Sequence, residues 1–377
     1  SPFIDELAQR GLSFEWTVTP QNTTLPSHMT MFTGYHPTVH QIMYSNSQNP
    51  GVRLASSVRT LPEILYEAGF ATRAWTDGGK MASIHGFDRG FQKYVDDPDY
   101  LPNKFAEALQ FIDGCTDGQP YFCLIHTYQV HRPYPAPMPY DKRFVTPGAR
   151  SEAQRCLDLY DGCIRFVDDQ LRLFVGDLEA RGALDDTILV ITGDHGENFQ
   201  EYGFDDIGHR SPNLHQNITH VPWIMVHPDK TYQNRSITAL TGLIDFPNTL
   251  LALLGFDEVL PGGGVNVLDP ANDKPREYLS WTMRSLSLYS GDYHLFECED
   301  GNGKERIVLY RFTDDRREFA PLDDQARIDA MRARLAEKRQ ALREQSRAIT
   351  SSLREFGPEP KPGGKLMKQL RALGYVK

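Results

Sequence analysis

The sequence predicts an α/β protein: a mostly parallel sheet between helices, then a smaller C-terminal antiparallel sheet and a helical tail. Short β-rich runs at Leu12 to Val18, Tyr121 to Ile125, Thr187 to Thr192 and Trp223 to Val226 alternate with longer helical patterns. Strands separated by helices build a sheet covered on both faces. From about Val265 short strands follow one another directly, the mark of local antiparallel pairing. With 377 residues, the chain is long enough to bury a large core of this kind.

Each element has a local reason. Ser1 is placed to cap a helix that starts at Pro2, carries Phe3, Ile4 and Leu7 on one face and stops at Gly11. Leu12 to Val18 alternates apolar and polar residues, as a half-buried strand does. Leu61 to Ala68 reads as a helix ended by Gly69, and Ala153 to Val175 repeats apolar residues three and four apart. Leu243 to Leu254 is a further apolar helix, closed by Gly255. Tyr278 to Trp281, Tyr289 to Phe296 and Ile307 to Phe312 read as the antiparallel strands, with turns at Gly291 and at Gly301-Asn302-Gly303. Asp323 to Glu355 is a charged helix with Ile328, Met331, Leu335, Leu342, Ile349 and Leu353 on roughly one stripe. That stripe either packs on its own domain or forms an arm for homo-oligomerisation. Gly357 to Gly364 is a Pro- and Gly-rich linker, and Leu366 to Leu373 a last short helix. The expected division is a large α/β unit over residues 1–264, a small α+β unit over 265–322, and the tail over 323–377.

Composition narrows the function classes. Forty basic residues against fifty acidic ones give a net charge of -10, which argues against a general nucleic-acid binder. No run approaches the length of a membrane span, so no membrane partner is expected. Cys115, Cys123, Cys156, Cys163 and Cys298 form no regular spacing, which fits a reducing, cytoplasmic setting better than a disulfide framework.

Four stretches carry chemistry. Thr192-Gly193-Asp194-His195-Gly196-Glu197 ends an apolar strand, where α/β sheets present ligand-binding groups. Adjacent Asp and His supply one hard oxygen and one imidazole nitrogen, a usual pair for a divalent metal. The plain reading is a turn-capping Asp and a His bonded to its own backbone. Asn22 to Gly34 is a plausible helix N-terminus, which offers N–H groups to an anion and favours an oxyanion nucleophile. Thr23, Thr24 and Ser27 compete for that role, and a simple N-cap competes with all three. Tyr121 to Tyr134 runs from a buried strand into a loop bearing His126, His131 and Arg132, groups suited to binding an anion or protonating a leaving oxygen. Gly208-His209-Arg210 returns to the same sheet edge.

Together these stretches resemble the sulfatase family of the alkaline phosphatase superfamily. Thr24 to Gly34 is similar to its nucleophile motif: Cys or Ser, any residue, Pro, any residue, Arg, then Thr-Gly. Asp194-His195-Gly196-Glu197 resembles its metal motif, Tyr160-Asp161 through Asp169 its central helix, and His220-Val221-Pro222 its next strand entry. Asp245 with Pro247-Asn248-Thr249-Leu250, the opening Ser1 to Gly11 and the closing Leu373-Gly374-Tyr375-Val376 also match, in order. The resemblance implies an alkaline-phosphatase-like fold and a site built on one divalent metal, Mn, Mg, Ca or Zn. It implies Thr24 as nucleophile and metal ligand, Asp194 and His195 as metal ligands, and His131 and His209 at the transferred group or leaving oxygen. His28 stands where the family places Arg. Ser27, Lys80 and Arg132 are substrate-side candidates, Asp77 and His85 weaker ones, and His215 and His220 are expected to be structural.

Two departures from the family pattern shape the expectation. Formylglycine, the sulfatase nucleophile, is made from Cys or Ser in a motif containing Arg, and here Thr24 and His28 stand at those places. A plain Thr nucleophile shifts the expectation toward phosphoester or phosphodiester cleavage. The family also takes one or two metal-binding carboxylates from a first strand that would precede Ser1, so a fragment with an incomplete metal site is expected. The resulting reading is a metal-dependent hydrolase of a small anionic sulfate or phosphate ester. Its alternatives are a phosphotransferase with an alcohol acceptor and a non-catalytic relative used for binding. Specificity would come from loops near Gln41 to Asn49, Met81 to Arg89 and Met138 to Arg150.

Overall fold

A computed structural model describes residues 1–43, 52–115, 118–209, 212–299, 304–353 and 364–373. The expected turn at Gly301 to Gly303, most of the linker from Gly357, the closing Gly374 to Val376, Arg210 and most of the Gln41 to Asn49 loop lie outside them.

The chain opens with α1 (Pro2–Arg10) and β1 (Leu12–Val18), then α2 (Thr24–Thr33), α3 (Pro37–His40) and α4 (Leu61–Glu67). β2 (Ala71–Trp75), β3 (Lys93–Val95), α5 (Leu101–Asp113), β4 (Tyr121–Ile125), the long α6 (Glu152–Ala180) and β5 (Leu189–Thr192) follow. A two-residue hairpin, β6 (Asn198–Phe199) and β7 (Ile207–Gly208), leads through α7 (Gln216–Thr219) to β8 (His220–Val226), β9 (Arg235–Gly242) and α8 (Phe246–Leu253). The second sheet is β10 (Glu277–Trp281), β11 (Ser285–Ser290), β12 (Tyr293–Glu299) and β13 (Glu305–Arg311), with α9 (Gln325–Leu353) and α10 (Gly364–Ala372) closing the chain.

The main strands pair in the orders β5-β8-β1-β9 and β3-β2-β4. β2 runs parallel to both its neighbours, as does β1 to β9. Only β8 runs against its partners, β1 and β5, so the sheet is mostly parallel with one reversed strand. The run Tyr289 to Phe296 divides between β11 and β12 at the expected turn, where Gly291 takes a left-handed φ of 56° and turns the chain into a hairpin.

Apolar packing follows the expected faces. Phe3 and Leu7 of α1 pack with Phe174, Val175 and Leu178 of α6 over Trp75 and Ile224 of the strands. Met331 and Leu335 of α9, with Ile328 and Leu342, cover Leu288, Leu295 and Leu309 of the second sheet. Leu342 and Ile349 continue onto the cluster formed by α2 and α3. Ile328, Met331, Leu335, Leu342 and Ile349 of α9 thus pack on the chain's own core, and the charged face of the helix points outward. No helix among the described residues is long and apolar enough to cross a membrane.

Candidate active site

β1 and β5 share one direction, as do β2 and β4, and the segments that leave the carboxyl ends of β1, β4 and β5 meet. There Thr24, His126, Thr127, Tyr128, Val130, His131, Tyr160, Asp194, His195, Gly196 and Glu197 line a cleft of about 60 Å³.

Thr24 is the first residue of α2, behind the extended N-cap Thr23, and is almost wholly buried. Its Oγ1 lies 3.4 Å from His195 Nε2. Helix N-termini leave N–H groups unpaired and carry partial positive charge, which favours negative charge developing on such an oxygen. Asp194 Oδ2 stands 3.4 Å from the same His195 Nε2 and 3.5 Å from His28 Nδ1. His195 Nδ1 donates to the Gly196 carbonyl at 2.8 Å, so its Nε2 carries the lone pair that faces Thr24. Gly196 is required where this segment lies against the backbone of α7: a Cβ there would lie 1.9 Å from the Asn217 carbonyl oxygen.

Burial works to raise the Asp194 carboxyl, but the imidazoles of His195, His28, His126 and His209 outweigh it and hold the group below the usual carboxylate range. His28 donates from Nδ1 to the Thr24 carbonyl at 3.0 Å, and burial keeps it below the ordinary His value despite Asp194. His209 Nδ1 donates to Glu197 Oε1 at 3.0 Å, and its own carbonyl accepts from Asn22 Nδ2 at 2.9 Å. His131 Nδ1 donates to the Arg132 carbonyl at 2.6 Å, and burial lowers it to about 4. The His209 ring lies 4.2 Å from that of His195 and 5.1 Å from that of His131.

The structure brings Thr24, Asp194, His195, His131 and His209 together, with His28 beneath them. It turns other candidates to different work. Ser27 is fully buried and donates to the Gln21 carbonyl at 3.0 Å. Arg132 lies outward, bonded to the Ile207 carbonyl at 3.0 Å and to Glu152 at the start of α6 at 3.2 Å. Lys80 is buried beside the cleft wall, where its N–H meets the Tyr128 hydroxyl at 3.2 Å. Asp77 pairs with Lys104, and His85 Nδ1 donates to the Val52 carbonyl at 2.7 Å. His215 and His220 are not among the residues lining the cleft: His215 stacks on Tyr202, and His220 donates to the Glu15 carbonyl.

Glu197, Tyr128 and Tyr160 also line the cleft. Glu197 was legible as part of the Asp194 motif and Tyr160 as the start of the central-helix stretch; Tyr128 gave no sequence signal of its own.

In kind, the donors suit a divalent cation: a carboxylate held ionised, an imidazole lone pair and a hydroxyl. In number they supply part of a shell, since among the described residues no three His, Cys, Asp or Glu side chains converge as a set.

A model of the family described as Sulfatase matches residues 1–256. The chain belongs to the sulfatase family. That membership makes it an ester hydrolase of the alkaline phosphatase superfamily, and solved structures agree on the fold. A protein whose structure is solved in complex with its substrate D-glucosamine-2-N,6-O-disulfate is 15% identical, with a TM-score of 0.72 over 96% of this chain and 94% of that one. The phosphonate monoester hydrolase of Agrobacterium radiobacter is 16% identical, with a TM-score of 0.70 over 92% and 91%. That of Silicibacter pomeroyi is 17% identical, with a TM-score of 0.68 over 92% and 90%. Among curated proteins, none matches this sulfatase-family chain.

Proposed function

We propose that this sulfatase-family chain cleaves a small anionic phosphoester or phosphodiester in preference to a sulfate ester, with Thr24 as nucleophile. The observation that supports it is the Thr24 hydroxyl at the head of α2, 3.4 Å from a His195 Nε2 that carries a lone pair. Thr is not a precursor of formylglycine, and a threonine oxygen serves directly for attack on phosphorus.

The Thr24 hydroxyl loses its proton to solvent, its oxygen attacks phosphorus or sulfur, and the ester alcohol departs as the bond to its oxygen breaks. His209 is the residue suited to hand that oxygen a proton, because Glu197 holds its Nδ1–H and supports the protonated ring. His131, kept neutral by burial, accepts a hydrogen bond rather than giving a proton. Water then displaces Thr24 from the covalent intermediate and restores the hydroxyl. Asp194, His195 Nε2 and the Thr24 hydroxyl are the groups that would hold a divalent metal. Bound there, such a metal lowers the hydroxyl pKa and offsets charge on the non-bridging oxygens. The five free thiols favour a reducing, cytoplasmic setting.

The test assays full-length protein, stripped of metal, on aryl phosphate monoester, phosphodiester and sulfate, with Mn, Mg, Ca or Zn added back. Metal-dependent turnover that falls by about 10³-fold or more in Thr24→Ala is expected, with the phosphate esters preferred. Undiminished turnover in Thr24→Ala would remove the nucleophile from this residue. Sulfate preferred over both phosphates would reverse the substrate class.

A further inference from the structure

Lys104 on α5 and Asp77 after β2 form an ion pair at 2.5 Å, with side chains 2% and 11% exposed. Burying two charges costs more than a surface pair returns, and this pair also holds backbone groups. β4 ends at Ile125, and the next three residues leave the ladder with backbone groups that need partners. His126 N–H donates to the Trp75 carbonyl at 2.9 Å. The His126 carbonyl accepts from Lys104 Nζ at 2.9 Å, and the Tyr128 N–H donates to Asp77 Oδ2 at 2.7 Å. Asp77 also accepts from the Asp99 N–H at 3.2 Å. The ion pair therefore clamps a backbone segment whose side chains, His126 to Tyr128, form one wall of the cleft.

On that wall the His126 ring packs edge-on to His28 at 5.1 Å and to Tyr128 at 4.6 Å. Its Nδ1 is buried and meets no hydrogen-bond partner in the protein. A buried ring nitrogen without a partner costs free energy unless a ligand supplies one.

We propose that His126 is a further substrate-contacting residue, which hydrogen-bonds an oxygen of the anionic ester, and that Asp77 and Lys104 are positioning residues that hold it there. The proposal rests on the ester-hydrolase reading above and deepens it.

The test titrates full-length protein with inorganic phosphate and sulfate by calorimetry in excess Mn²⁺, beside kinetics on an aryl phosphate. His126→Ala is expected to weaken phosphate binding and raise KM by about 10- to 100-fold, with kcat within about threefold. His126→Gln, which keeps a donor, is expected to recover part of the loss. Lys104→Met is expected to weaken binding to the same extent, and the double variant to be no worse than either single one. Phosphate bound as tightly by His126→Ala as by the parent overturns the proposal, as do losses that multiply in the double variant or a parent that binds neither anion. If the variants do not fold, the His126 side-chain resonance of the parent must move on adding phosphate; a stationary one overturns it. Turnover surviving in Thr24→Ala, with binding still weakened in His126→Ala, would sink the nucleophile assignment and leave this one standing.

Discussion

Thr24 and Ser27 lie one turn apart at the head of α2, and their surroundings give the two hydroxyls opposite work. Thr24 Oγ1 opens onto the cleft. Ser27 Oγ donates to the Gln21 carbonyl at 3.0 Å and accepts from Thr19 Oγ1 at 3.1 Å, with no exposed surface. Ser27→Ala is therefore expected to cost about 1 kcal/mol of stability by removing one of the two hydroxyls, Ser27 and Thr19, that donate to that carbonyl, while kcat stays within about threefold. Denaturant unfolding beside steady-state rates checks both halves; a rate loss as large as that of Thr24→Ala would reinstate Ser27 as the nucleophile. The sequence left Thr23, Thr24 and Ser27 open because residue type and spacing do not say which way a hydroxyl points. That depends on where the chain enters the helix, and Thr23, outside it, spends its hydroxyl on Gln21 Oε1 at 3.1 Å. Asp194, His195, His131 and His209 were legible because each follows a strand or hairpin at the sheet edge. The buried partner of His209, Glu197, and the unpartnered Nδ1 of His126 needed coordinates.

At the scale of elements, α1 and α6 show how a buried carboxylate joins two helices. Asp168, inside α6 and without exposed surface, accepts from the Phe3 N–H at 3.0 Å and the Ile4 N–H at 2.8 Å. Those are first-turn N–H groups, which no intrahelical carbonyl reaches. Asp168→Ala leaves both unpaired and is expected to cost about 2 kcal/mol or more, whereas Asp168→Asn, which keeps an acceptor, should recover about half. Chemical denaturation of the two variants measures this, and equal stability of Ala and parent would refute the bridging role. β4, β5 and β8 were legible as short apolar runs and β1 by its alternation, whereas β2 carries Thr72 and Arg73 inside it and is no such run. β9 (Arg235–Gly242) was not legible, because its outer part is exposed and mostly polar, and two-residue β6 and β7 carry no periodicity at all. The reversed direction of β8 is a tertiary fact: Trp223 to Val226 reads as a buried strand whichever way it runs.

Across the whole molecule, the second sheet is fastened to the first by buried hydrogen bonds, and two run through neutral histidines. His36 accepts from the Thr38 N–H through Nδ1 at 3.3 Å and donates from Nε2 to the Leu279 carbonyl at 3.1 Å, tying α3 to β10. His215 stands 3.3 Å from the Tyr310 hydroxyl of β13. Next to His36, His40 accepts from the Ile42 N–H at 3.0 Å, so protonating it would set two donors against each other. Burial lowers His36 to about 4, His40 to about 3 and His215 to about 2, each far below the ordinary 6.5. The unfolded chain takes up these protons near pH 6.5 and the folded one does not, so stability is lost as pH falls from about 6.5 toward 4. Each such group contributes up to about 1.4 kcal/mol per pH unit inside that window, and three together rival the net stability of a typical domain within two units. Unfolding free energy followed by denaturant at pH 7, 6 and 5 should therefore fall steeply. The slope should be shallower in His36→Asn, which keeps an acceptor for Thr38 but has nothing to protonate. A flat profile between pH 6.5 and 5, or an unchanged slope in that variant, would mean that the seam between the sheets does not depend on neutral histidine. A falling profile would place the acid limit of the enzyme in its architecture, ahead of any titration in the cleft.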